Sequence, residues 1–235
     1  MDESVEACRE RVANGRWFAR VSPGLQDFLL GAARLRRLTA GERLFARGDA
    51  ADGLYCVVEG ALRVSGTAAS GKEALLLYLE PPNWFGEIAI FDGGPRTHDA
   101  WAADACTVLH VPQAALYALL DAQPRYWREL ALLLADKLRL TFVALEAMAL
   151  MPAPERLRQR LAMIIDGYGA GRPGAPAPLI RIPQEELAQM VALSRQTTNQ
   201  ILKELEAQGV LRLRRGGIEV LDAAALYGAR PGGEA

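Results

Sequence analysis

The chain of 235 residues is 51% hydrophobic and 23% charged, with a formal net charge of −1, the balance of a globular protein with room for one large domain or two modest ones. No stretch approaches ~18 uninterrupted apolar residues, so no membrane span is expected. The three cysteines, Cys8, Cys56 and Cys106, are odd in number and far apart, which argues against a disulfide framework and for a reducing compartment.

The opening segment MDESVEACRERVANGRW mixes acids and bases without an apolar core. It does not read as a secretory signal, and a cytoplasmic location is expected. Residues 1–40 read as helical, with Trp17, Phe18, Leu25, Phe28 and Leu29 as apolar anchors. From Thr39 to about Pro112, short β-prone runs alternate with Gly-Asp, Asp-Gly and Glu-Gly turns, as in ERLFARGDAADGLYCVVEGALRVSG. That texture predicts an antiparallel β-sandwich or roll.

Within the roll, FGEIAIFDGGPRTHDAWAA sets Glu87 after Gly86 and places Arg96-Thr97 nine residues on. Gly86 allows a close backbone approach. The run EIAIF, with Ile88 and Ala89, can form a short turn whose amides face an anion. Arg96 supplies a planar fork suited to a phosphate, and Thr97 adds a hydroxyl. Either Glu87 and Arg96 neutralise each other, or they jointly hold an anionic guest.

A long helix is expected over residues 123–151, with Leu130, Leu134, Leu138, Thr141, Leu145 and Met148 on a near-heptad seam. Such a seam favours pairing with a second copy of the chain. A threonine there needs a polar partner, either its own preceding turn or a ligand. Pro152 and Pro154 stop the helix. The expected domains are therefore 1–122, a roll with N-terminal helices; 123–151, a dimerisation helix; and 152–235. The Gly/Pro run GAGRPGAPAP in the last of these reads as a surface loop.

Residues 152–235 hold 11 Lys+Arg against 9 Asp+Glu, and Arg195 to Arg215 alone hold five basic against two acidic residues. That basic patch suggests an anionic partner. Gln184–Lys203 fits a helix-turn-helix, with Leu187, Val191, Leu193 and Ile201 apolar where the helices pack, Ala188 small at their crossing, and Ser194 placed to cap the second helix. Two positions depart from the usual pattern: the turn carries Ala192 where glycine is common, and Thr198 stands where a β-branched apolar residue is usual. Arg195, Gln196, Asn199 and Gln200 suit base readout. Lys203 suits a phosphate contact, and LRLRRGG forms a wing whose Arg212, Arg214 and Arg215 can grip the backbone.

Roll, long helix, hinge and winged helix-turn-helix in this order resemble the catabolite activator protein/FNR superfamily of bacterial transcription regulators. GERLFARGDAADGLYCVVEGALRV resembles its first roll strands, FGEIAIFDGGPRT its phosphate-binding cassette, and LSRQTTNQILKELEAQGVL its recognition helix. The resemblance implies an α+β fold and a homodimer on palindromic double-stranded DNA, with RNA polymerase as a further partner. It also implies a cyclic nucleotide effector such as cAMP, with Glu87 on the ribose, Arg96 and Thr97 on the phosphate, and Thr141 on the adenine. An effector-free regulator of the same fold, or one taking another small anion or a dinucleotide, is the alternative. His98 and Asp99 after the cassette, and Phe142 after Thr141, depart from the cyclic-AMP-binding pattern. Two histidines, no metal-ligand spacing, no Gly-x-Ser-x-Gly elbow and no Walker loop argue against an enzyme. Cys8 alone cannot hold an iron–sulfur cluster.

Overall fold

The structure, a computed structural model, describes residues 5–67, 71, 73–167 and 179–227; the expected GAGRPGAPAP loop lies outside them. The described residues divide into two compact units, one up to Arg139 and one from Leu140 onward.

The first unit opens with helix α1 (Val5–Ala13), a 3-10 turn at Phe18–Arg20 and helix α2 (Pro23–Ala32). Trp17, Phe18, Leu25 and Leu29 are buried as their apolar character requires. The helical expectation for residues 1–40 fails at its end, because Arg34–Leu38 forms strand β1. Three of its five residues are arginines, which an edge strand tolerates. Strands β2 (Arg43–Phe45), β3 (Gly53–Glu59), β4 (Leu62–Thr67), β5 (Glu73–Leu79), β6 (Asn83–Phe85), β7 (Asp99–Ala102) and β8 (Cys106–Pro112) follow. They form two antiparallel four-stranded sheets, ordered β1-β8-β3-β6 and β2-β7-β4-β5.

β3 is buried along six of its seven residues. Leu54, Cys56 and Val58 face the helical layer, in one cluster with Leu25, Leu29 and Trp84. Tyr55 faces the other way, against Phe45, Phe85 and His110. Two short helices complete the roll: α3 (Ile88–Asp92), between β6 and β7, and α4 (Gln113–Ala122), after β8.

Helix α5 spans Arg125–Leu150, close to the expected 123–151. Its first turns are tied to the roll. Tyr126, Leu130 and Leu133 are buried in the first unit's core. The Glu129 carboxylate accepts from the backbone N and Oγ of Ser22 at 2.6 and 3.0 Å. Later turns carry apolar side chains into the open, with Leu138, Phe142, Leu145 and Leu150 between 52% and 75% exposed.

Helix α6 (Ala153–Ile165) starts just after Pro152. Strand β9 (Leu179–Ile180) precedes helices α7 (Gln184–Met190) and α8 (Arg195–Ala207) and strands β10 (Leu211–Arg214) and β11 (Gly217–Val220), which give the expected helix, turn, helix and wing. Helix α9 (Ala223–Leu226) closes the described chain. A small sheet ordered β10-β11-β9 carries the wing.

Candidate functional site

The cassette begins where β6 ends at Phe85. Gly86 adopts φ +93°, and a Cβ built there would stand 2.7 Å from Arg96 Nη1. The glycine that the sequence assigned to ligand approach thus also makes room for the protein's own arginine. Glu87 caps α3 by position and is only 3% exposed, Ala89 is buried, and Ile88 projects outward.

Glu87 and Arg96 do not pair with each other. Glu87 Oε2 accepts from Lys137 Nζ of α5 at 2.9 Å. Arg96, 4% exposed, donates through Nη2 to Asp52 Oδ1 at 2.6 Å and to the Gly53 carbonyl at 2.8 Å, and through Nη1 to the Gly86 carbonyl at 3.3 Å. The guanidinium lies over the rings of Phe45 and Tyr55, 4.5 and 5.4 Å from their centroids. Its Nε–H is buried and has no hydrogen-bond partner among the described residues. A buried donor left unsatisfied is costly, so it marks a place where an acceptor belongs.

Asp52 and Lys137 are the two residues that reading the cassette alone missed. Asp52 lies 44 positions before Arg96, and only the sheet topology brings them together. Its second oxygen accepts from Tyr55 OH at 2.5 Å, and His110 Nε2 lies 3.2 Å from its backbone carbonyl oxygen. Burial pushes the Asp52 carboxyl up, but the hydrogen bonds from Tyr55 and Arg96 and the charges of Arg96 and His110 outweigh it, holding it below the ordinary carboxylate range. Burial, then the bond to Asp52, pushes the Tyr55 phenol well above its usual value.

Thr97 is exposed and its Oγ1 lies 2.9 Å from His98 Nδ1. Asp99, which departs from the cyclic-AMP-binding pattern, accepts from the Arg47 backbone N at 3.0 Å. Thr141 is exposed on α5 and belongs to the second unit, whereas the cassette belongs to the first.

In the second unit, Ser194 caps α8, its Oγ accepting from Thr197 N at 3.0 Å. Arg195, Gln196, Gln200 and Lys203 are exposed on α8, and Asn199 is half-buried. Leu187, Ala188, Val191 and Ile201 are buried where the helices pack, as expected. Ala192 adopts φ +51° in the turn, which explains why glycine is common there. Thr198 is fully buried and its hydroxyl has no partner among the described residues. On the wing, Arg212, Arg214 and Arg215 are exposed. Glu219 lies across from two of them, 2.9 Å from Arg214 Nε and 3.6 Å from Arg212 Nη1.

Among the described residues no cluster of His, Cys, Asp and Glu could hold a metal, and no helix is long and apolar enough to cross a membrane. Cys8, Cys56 and Cys106 are all buried.

Comparison with known proteins places both halves. Residues 35–123 match the cyclic nucleotide-binding domain, and residues 155–228 match the Crp-like helix-turn-helix domain. A CRP-like cAMP-activated global transcriptional regulator of Mycobacterium tuberculosis is 31% identical over 183 residues, covering 78% of this chain and 82% of that protein. The cyclic AMP receptor protein of Thermus thermophilus is 31% identical over 210 residues, 89% of this chain and 94% of that one. In fold, the chain is similar to the c-di-GMP responsive global regulator CLP of Xanthomonas campestris, at TM-score 0.65 and 22% identity, over 85% of this chain and 99% of that one.

Proposed function

Because the chain belongs to the CRP/FNR family of transcription regulators, we propose that it is a homodimeric regulator whose DNA binding is switched by a cyclic nucleotide held in the roll, with cyclic AMP the first candidate. The observation that carries the effector half is the buried, unpartnered Nε–H of Arg96 in a cyclic nucleotide-binding domain. A phosphodiester oxygen satisfies that donor with a charge-assisted bond. Glu87 accepts from a ribose hydroxyl, Thr97 adds a bond to the phosphate, and Gly86, Ile88 and Ala89 form the floor. Relatives that are named as cAMP-activated regulators support this choice of ligand.

The DNA half uses α8. Arg195, Gln196, Asn199 and Gln200 read base edges from the major groove, with Ser194 at the helix start, while Lys203 and the wing arginines Arg212, Arg214 and Arg215 hold phosphates. The exposed apolar stretch of α5 serves as the seam between two copies, which sets two recognition helices on successive grooves of a palindrome. Thr141 sits on that seam. The chemistry of the chain is recognition, and the relatives it matches are regulators rather than enzymes.

Arg96→Ala tests the effector half directly. Calorimetry should show cyclic AMP binding lost in the variant, and DNA-binding assays should show loss of the cyclic AMP response with dimerisation intact. An unchanged response overturns the cassette reading. One observation favours the second reading, an effector-free regulator: Arg96 and Glu87 already have internal partners in Asp52 and Lys137. Under that reading the wild-type protein binds DNA at full affinity and gives no heat with cyclic AMP, cyclic GMP or cyclic di-GMP.

A further inference from the structure

Two ion pairs line the cassette. Arg96 and Lys137 bring two positive charges, and Asp52 and Glu87, the partners they bind at 2.6 and 2.9 Å, bring two negative ones. Two of the four, Arg96 and Glu87, are almost completely buried. A phosphodiester added to this neutral set leaves one uncompensated negative charge, whereas a phosphomonoester near pH 8 leaves two. Uncompensated charge in a partly buried site is what such a site resists most strongly.

Asp52 is the group placed to enforce that difference. Its Oδ1 is bonded to Arg96 Nη2, and the unpartnered Nε belongs to the same planar guanidinium. An acceptor on Nε therefore lies less than about 8 Å from the carboxylate, the sum of two hydrogen bonds and one N-to-N span. The Tyr55 hydroxyl holds the second oxygen at 2.5 Å, so the carboxylate is fixed on its far side as well.

We propose that Asp52 is a charge filter of the effector site, admitting singly charged cyclic phosphodiesters and rejecting doubly charged phosphomonoesters. The inference rests on the effector reading above and deepens it. Rejection through an unfavourable charge, rather than through a better contact with the right ligand, is one of the two routes to specificity. At that separation each extra unit of ligand charge weakens binding by about five- to thirty-fold, and the half-exposure of Asp52 favours the lower part of the range.

The test is calorimetry on the full chain at pH 8, with 3′,5′-cyclic AMP and 5′-AMP as probes. Asp52→Asn should raise the affinity for 5′-AMP relative to cyclic AMP by about ten-fold, and Asp52→Glu, which keeps the charge, should restore the wild-type ratio. Tyr55→Phe should leave the ratio near wild type, because it removes a hydroxyl and no charge. An unchanged ratio in Asp52→Asn, or an equal shift in Tyr55→Phe, overturns the filter. If Asp52→Asn does not fold, the wild-type protein still decides. Rising salt should narrow its discrimination between the two nucleotides, and a salt-independent ratio rejects the idea. A wild-type chain that binds neither nucleotide removes the effector reading and the filter together, whereas cyclic AMP binding with an unmoved ratio removes the filter alone.

Discussion

At the scale of single residues, the side chains that carry the reading do so through what they lack as much as through what they touch. Arg96 is buried among two aromatic rings, a carboxylate and two backbone carbonyls, and still has Nε–H unpaired. Gly86 is fixed by that same guanidinium, since any Cβ would press on Nη1. Ala192 shows the opposite case, a residue with a Cβ held at φ +51° in the turn between α7 and α8. The left-handed conformation costs a non-glycine residue about 1 kcal/mol or more, of which glycine recovers part after its larger loss of backbone freedom. Ala192→Gly should therefore stabilise the DNA-binding unit by about 0.5–1 kcal/mol, seen as a higher midpoint in urea, with no loss of specific DNA affinity. The sequence flagged this residue as unusual. What it could not show is that the turn keeps the glycine conformation without the glycine.

At the scale of elements, α5 changes character along its length. Its first turns are buried against the roll and hydrogen-bonded to the N-terminal segment, where Trp17 Nε1 donates to the Glu129 carbonyl at 2.8 Å. Its later turns expose Leu138, Phe142, Leu145 and Leu150. Exposed apolar residues recurring at helical spacing mark an interaction surface. Leu145→Glu places a charge in the proposed seam, so the protein should shift from dimer to monomer in light scattering, with affinity for a palindromic operator reduced about 100-fold or more through lost avidity. A variant that stays dimeric with full affinity rejects this seam. The periodicity of α5 was legible because a helix records its faces locally. Strand β1 was not, because the pattern RLRRL becomes a strand only through its pairing with β8, from Arg34 opposite His110 to Leu38 opposite Cys106.

At the scale of the whole molecule, a ligand can switch DNA binding only by preferring one state. Moving a population from 1:99 to 99:1 takes about 10⁴-fold preference. The bond between Glu87 and Lys137 ties the cassette to α5 two residues before the boundary between the compact units. Proton linkage also acts on the molecule as a whole. Burial first, then the charge of Arg47, lowers the pKa of His98. The unfolded chain then takes up the proton first, so stability falls as pH drops from about 6.5. His98→Asn should flatten that limb in pH-dependent thermal midpoints. Asp52, also lowered, contributes stability that is present above about pH 4 and is lost as pH falls further. An unchanged slope between pH 7 and 5 in His98→Asn rejects the first assignment. The sequence by itself determined the order of roll, long helix and helix-turn-helix, the cap at Ser194, and the short helical turn after Gly86, because caps, turns and helical faces are written over a few neighbouring positions. Only the tertiary structure decided who partners whom. Asp52 meets Arg96 across 44 residues and Lys137 meets Glu87 across 50, pairings that depend on which strands and helices come to lie side by side.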